Sequence, residues 1–243
     1  MKSTTTDTEK TAHERMLDAT ARFIRRLDTV PGWKEARIAN MVAAMDFEDP
    51  IGEGKPIPLP TDIELQHDVV TRFLELYDLV LAFKTCEYYF RRFPFRGLPV
   101  TRHEHLSNVC ELYFNRIYQF KERLKYLVDA VDASVPKHGI QFGPFIKRFA
   151  KEFDQEIRER NQIHHFVKFA DLDIHRVFLA GFNEIAFPNK GWKEEERLYY
   201  GKVTRAWIRR VRNRATRLDA FLEAVAEALL VGCPFLNEPQ GGD

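Results

Sequence analysis

Residues 101–134 read "TRHEHLSNVCELYFNRIYQFKERLKYLVDAVDAS". Leu106, Cys110, Tyr113, Ile117, Phe120, Leu124, Leu127 and Val131 follow one another at alternating spacings of four and three, which puts all eight on one side of an α-helix. A seam kept up over four heptads calls for lengthwise packing against another long helix, within the chain or across a dimer. Thr101 and Glu104 have the capping-box spacing, in which hydroxyl and carboxylate each satisfy the other's backbone amide, so the helix starts there.

The flanking sequence extends this pattern. Residues 62–92 are apolar on most sides (Val69, Val70, Phe73, Leu74, Tyr77, Val80, Leu81) and predict a central helix that ends at "FPFRGLP", 93–99. Downstream, a helix is expected over about 145–168 and another over about 192–231, with its stripe at Val203, Trp207, Val211, Ala215, Leu218, Leu222, Val225 and Leu229. Residues 170–190 read as helix rather than hairpin. Upstream, two short amphipathic helices (9–28 and 33–46) lead into "EDPIGEGKPIPLPTD", 48–62, whose four prolines and two glycines make it an extended connector. With no strand pattern, the expectation is an all-α protein: a bundle of four to five long helices over residues 62–232, a short N-terminal helical extension over 1–61, and a tail over 233–243.

Composition narrows the function. Of 243 residues 44% are apolar, enough for a sizeable core, and 37 basic against 36 acidic residues leave only local charge clusters informative about nucleic acid. Three scattered cysteines without CxxC spacing argue against a disulfide or structural zinc framework and for a reducing, cytoplasmic setting. No secretory leader is recognisable, and the most apolar run, 69–83, is interrupted by Arg72, Glu75 and Asp78, so no membrane partner is expected.

The chemistry concentrates at "RERNQIHH", 158–165. On a helical wheel Phe145, Ile146, Phe149, Phe153, Ile157, Ile163 and Val167 share one arc, with Arg160 in its middle, His164 beside it and Asn161 at its edge. A guanidinium placed there must meet an acidic group, a polar cleft or an external anion. Glu156, one turn earlier, offers the simplest partner.

"RNQIHH" resembles the Arg, polar residue, three residues, His signature of the HEPN superfamily (higher eukaryote and prokaryote nucleotide-binding), set on a late helix of an all-α bundle. The resemblance covers residues 62–232 loosely and the motif closely. It implies a metal-independent endoribonuclease needing no cofactor, a homodimer with two motifs facing across a cleft, RNA as substrate, and a toxin or defence role with an antitoxin or regulatory partner. The matching positions are Arg160, Asn161 and His165. In such a reaction the RNA 2′-hydroxyl attacks the adjacent phosphorus; histidine suits the proton transfers and arginine the phosphoryl oxygens, while Asn161 can donate to the phosphate or orient the imidazole. Arg160 and His165 stand about 140° apart on an ideal helix, whereas His164 shares the arginine's side. Either the helix is distorted, or two protomers combine their groups, or His164 is the active histidine. The family pattern favours His165. Many relatives of this kind are catalytically silent, so a helical module that binds RNA or protein is the rival reading.

Elsewhere, "RAWIRRVRNRATR", 205–217, projects Arg205, Arg209 and Arg212 away from the apolar stripe, a face able to track a phosphate backbone or simply to be solvated and paired with acids such as "KEEE", 193–196. His103 and His105, two apart, fall on different sides of their helix and make a poor metal site, and His164 and His165 have the same problem, so no metal is expected. Tyr88, Tyr89, Phe90, Phe93 and Phe95 suit core and turn packing more than base stacking.

Overall fold

A computed structural model describes residues 10–45, 59–165, 169 and 171–237, the side chains of Ala44, His164 and His165 excepted. Residues 46–58 and 238–243, which hold most of the connector and of the tail, lie outside them. The described residues form α1 (Ala12–Leu27), α2 (Trp33–Ala44), α3 (Thr61–Arg91), α4 (Arg102–Ser134), α5 (Phe142–Glu152), α6 (Asp154–His165), α7 (Leu172–Ala186), α8 (Trp192–Gly232) and a closing 3-10 turn, Pro234–Leu236. The protein is all-α, with long helices packed on one another, and among the described residues there is no strand. None of the described helices is long and apolar enough to cross a membrane.

The chain divides into two compact units, and α3, α4 and α8 contribute residues to both. The first comprises Met1–Leu74, Tyr126–Ile140 and Leu222–Asp243. In it α1 opens with a complete Thr11/Glu14 capping box and buries Met16, Ala19, Phe23 and Leu27. Phe23 meets Phe235 edge-on at 5.7 Å, and Glu223 accepts from the backbone amide of His13 at 3.2 Å, so α1 is tied to the chain's last helical residues.

The second unit comprises Glu75–Lys125 and Gln141–Phe221. Its core is aromatic: Phe90 of α3 stacks on Trp207 of α8 at 5.5 Å, Trp207 lies edge-on to Tyr113 of α4 at 5.4 Å, and Phe120 of α4 stacks on Phe149 of α5 at 4.9 Å. The eight seam residues of α4 are all 0% exposed, as the four-three spacing requires. The expected capping box is present, with Thr101 N–H donating to Glu104 at 2.8 Å and Glu104 N–H to the Thr101 hydroxyl at 3.1 Å.

One expectation needs correction. The helix predicted over 145–168 is two helices, α5 and α6, offset at Phe153 (φ −109°, ψ 21°). Phe153 is fully buried, with Phe149 at 4.7 Å and Phe221 at 6.0 Å between ring centres, so its ring is set by the core rather than by an ideal helix. Hydrogen bonds from Phe153 to Phe149 and from Ile157 to Phe153, both 3.0 Å, carry the chain across the offset. A single wheel drawn through both helices therefore misplaces the residues of α6.

Candidate functional site: Arg160 and the Glu156 network

After the offset, Glu156 is the residue of α6 that faces the core. It is 0% exposed, whereas Arg160, one turn later, is half-buried at the margin and Asn161 is exposed. A buried carboxylate must be paired and hydrogen-bonded to remain charged. Arg214 supplies a two-pronged contact, Nε to Oε1 at 2.9 Å and an Nη to Oε2 at 3.2 Å. Arg210 adds an Nη contact to Oε1 at 3.2 Å, and the Tyr113 hydroxyl donates to the same oxygen at 3.0 Å. Burial, reinforced by this carboxylate, pushes the Tyr113 phenol far above its ordinary range, so it stays a donor.

Glu156 is thus occupied, and the simple intrahelical pair expected for Arg160 does not form. Arg160 turns instead to α4, where its guanidinium carbon lies 3.9 Å from the centre of the Tyr118 ring. Among the described residues its buried Nε has no hydrogen-bond partner and its one polar contact, to the Asn161 side-chain oxygen, is 3.5 Å long. Among the described residues no carboxylate pairs with it. A planar guanidinium held on an aromatic face keeps its edge for in-plane donation, the geometry that suits a phosphoryl group. His164 and His165 belong to the last turn of α6, and both side chains lie outside the described residues.

The basic helix divides likewise. Arg205 and Arg209 are exposed and pair with no carboxylate among the described residues, whereas the Nε of Arg212 donates to Glu87 of α3 at 2.6 Å. Arg209 lines a groove of about 880 Å³ with Arg210, Asn213, Arg214 and Arg217. Among the described residues the acids that pair with the arginines of this helix are Glu87, Glu152, Glu156 and Glu159, while Glu196 of the "KEEE" run goes to Arg102.

No family model, curated protein or solved structure matches the chain. The functional reading rests on the residues themselves.

The remaining candidates resolve into packing. His105 is buried and bonds the Tyr89 carbonyl at 2.9 Å, with Phe93 and Phe95 around it; His103 lies against Phe178. No group of metal-ligating side chains occurs among the described residues. Tyr88 and Tyr89, expected in core and turn packing, are instead exposed, whereas Phe90 is core. Sequence reasoning missed Tyr118 as the platform for Arg160 and Glu156 as the buried charge. The second had a signal: Arg210 and Arg214, one turn apart beside the apolar stripe of α8, face inward and need an anion.

Proposed function

We propose that the protein is a metal-independent endoribonuclease in which Arg160 binds the scissile phosphate and His165, with Asn161 and His164 beside it, manages the proton transfers. The observation that carries the proposal is the state of Arg160: stacked on Tyr118 and, among the described residues, not neutralised by a carboxylate and short of hydrogen-bond partners. A purely structural arginine at this position would claim the nearest acid, and Glu156 is held by two others. The guanidinium stabilises charge as the 2′-hydroxyl oxygen bonds to phosphorus and the 5′-oxygen leaves, giving a 2′,3′-cyclic phosphate and a 5′-hydroxyl end. One imidazole takes the 2′-hydroxyl proton and another, from the same or the partner subunit, returns one to the leaving oxygen.

A homodimer is part of this reading. It is supported by α7, which leaves Leu172, Phe178, Leu179, Phe182 and Ile185 exposed, Ile185 by 83%. An antitoxin-like regulator would be the natural restraint on such an activity in a reducing cytoplasm.

The test is cleavage of single-stranded RNA in EDTA by wild type and by Arg160→Ala, His164→Ala and His165→Ala, with product ends identified by mass spectrometry. Cyclic-phosphate products that disappear with Arg160 and with one histidine support the reading. Equal cleavage by all four proteins removes it, and an inert wild type that still binds RNA establishes the silent binding module instead.

A further inference from the structure

Away from Arg160, the second unit holds a cavity of about 610 Å³ whose wall contains five arginines: Arg91, Arg92, Arg96, Arg102 and Arg197. Among the described residues no acidic one lines it. Like charges do not gather around one concavity without cost, so their arrangement asks for a reason.

The chain brings them together from four places. Arg91 is the last residue of α3, Arg102 the first of α4, and Arg197 lies in the second turn of α8. Arg96 stands at the corner of a turn closed by Leu98 N–H to the Phe95 carbonyl at 3.2 Å, with Gly97 at φ +78°. That left-handed backbone is what glycine permits at the third position of a type II turn.

Two of the five are anchored. Arg91 is paired with Glu87 and Arg102 with Glu196, and Arg102 also lies over the rings of Phe93 and Tyr200 at 5.6 and 5.7 Å. Arg92, Arg96 and Arg197 are exposed and pair with no carboxylate among the described residues. Burial pushes the Tyr200 hydroxyl up to about 12, so that residue adds no negative charge at neutral pH. Five guanidiniums against two carboxylates leave an excess of three positive charges around one cavity.

We propose that this arginine-lined cavity binds an oligophosphate group, the di- or triphosphate of a nucleotide or of an RNA 5′ end. A single phosphate, at roughly −1.5 to −2, leaves part of the excess unbalanced, whereas a chain of two or three phosphates covers it. Guanidinium forks give each phosphoryl oxygen directed, charge-assisted bonds. The cavity is larger than a phosphate chain, and Phe93, Pro94 and Tyr200 give the remaining space an apolar wall. The inference does not depend on the nuclease reading, because none of these residues takes part in it.

The experiment is calorimetric titration of the full chain with inorganic tripolyphosphate. It compares wild type, the triple variant Arg92→Ala/Arg96→Ala/Arg197→Ala, and a charge-matched control with three exposed lysines replaced, Lys34→Ala/Lys137→Ala/Lys147→Ala, all checked for unchanged helix content. The expected result is binding by wild type and control and at least about 100-fold weaker binding by the arginine variant, three lost charge-assisted contacts being worth that much or more. No binding by wild type, or equal loss in the control, overturns the proposal. Two further arms assign the source: ATP and GTP binding more tightly than tripolyphosphate points to a free nucleotide, and a preference for 5′-triphosphorylated over 5′-hydroxyl RNA of the same sequence points to an RNA end.

Discussion

The guanidinium of Arg160 rests on the ring of Tyr118, with 3.9 Å between its central carbon and the ring centre, while the carboxylate one turn before it serves two other arginines. The buried anchor and the proposed phosphate ligand are therefore different charges on the same short helix. Glu156 holds α6 to α8; Arg160 does not.

Arg160→Ala should remove RNA cleavage by about 100-fold or more, the usual cost of losing a donor that acts on developing charge. It should lower stability only by the cation–π contact, about 0.5–1 kcal/mol. Tyr118→Leu leaves the charge in place but releases its support, so kcat should fall less than in Arg160→Ala, with the melting temperature nearly unchanged. Steady-state kinetics and thermal melts on the two variants check this. Parallel loss of folding and activity in Arg160→Ala would make the arginine structural.

Glu156→Ala should behave in the opposite way. It removes the buried anion that Arg210 and Arg214 share and leaves each only a longer second contact, to Glu159 at 3.8 Å and to Glu152 at 3.4 Å, and truncating one partner of a buried charge network costs about 3–5 kcal/mol. Both arginines keep about a quarter of their side-chain surface in solvent, which places the expected loss near the lower figure. Urea unfolding measures it. A loss below about 1 kcal/mol would show that solvent, not Glu156, compensates these arginines.

The seam of α4 and the stripe of α8 were legible because a four-three repeat over many turns averages out local irregularity, and every α4 seam residue is buried as it predicts. Residues 145–165 were less legible because one buried ring, Phe153, breaks the helix and changes which later residue faces inward. Arg160 was expected in the middle of the apolar arc and lies half-buried at its margin, and its aromatic partner is 42 positions earlier in the chain, where no local pattern points to it. Four arginines of the cavity lie within residues 91–102, but that Arg197 joins them around one concavity is a tertiary fact.

Stability should fall as pH drops below about 6.5, in part through His105. Its Nε2 lies 2.9 Å from the Tyr89 carbonyl, which only accepts, so the neutral ring carries its proton there. Burial lowers the pKa from 6.5 more than this bond raises it. Below about 6.5 the unfolded chain takes up a proton that the folded one resists, and the loss continues until pH reaches the folded value; above that window both states are neutral and nothing changes. His67, also lowered by burial, acts with the same sign. His105→Gln keeps a donor for Tyr89 without the charge, so the drop in urea midpoint between about pH 7 and 5 should shrink. An unchanged drop would assign the slope to other groups.

Self-association through α7 predicts that Phe182→Glu/Ile185→Glu, which puts two carboxylates on an exposed apolar face, yields a monomer with unaltered helix content. Sedimentation equilibrium decides this. A wild type already monomeric at concentrations where it cleaves RNA would remove the dimer cleft from the mechanism.

The arginines of α8 should contribute unequally to RNA binding, although the sequence places Arg205, Arg209 and Arg212 on one face. A side chain already bonded to a carboxylate must give up that bond before a phosphate gains anything from it. Arg212 is so bonded, to Glu87 at 2.6 Å, and among the described residues Arg205 and Arg209 have no such partner. Each arginine that neutralises a phosphate of single-stranded RNA steepens the dependence of log affinity on log salt by about 0.7. Arg205→Ala and Arg209→Ala should each flatten that slope by about this amount, and Arg212→Ala by much less. Glu87→Gln should steepen the slope, because it frees the guanidiniums of both its partners, Arg212 and Arg91. Fluorescence anisotropy at four or five salt concentrations reads all four variants, and equal slopes for the three arginine variants would show that the Glu87 pair yields to RNA at no cost.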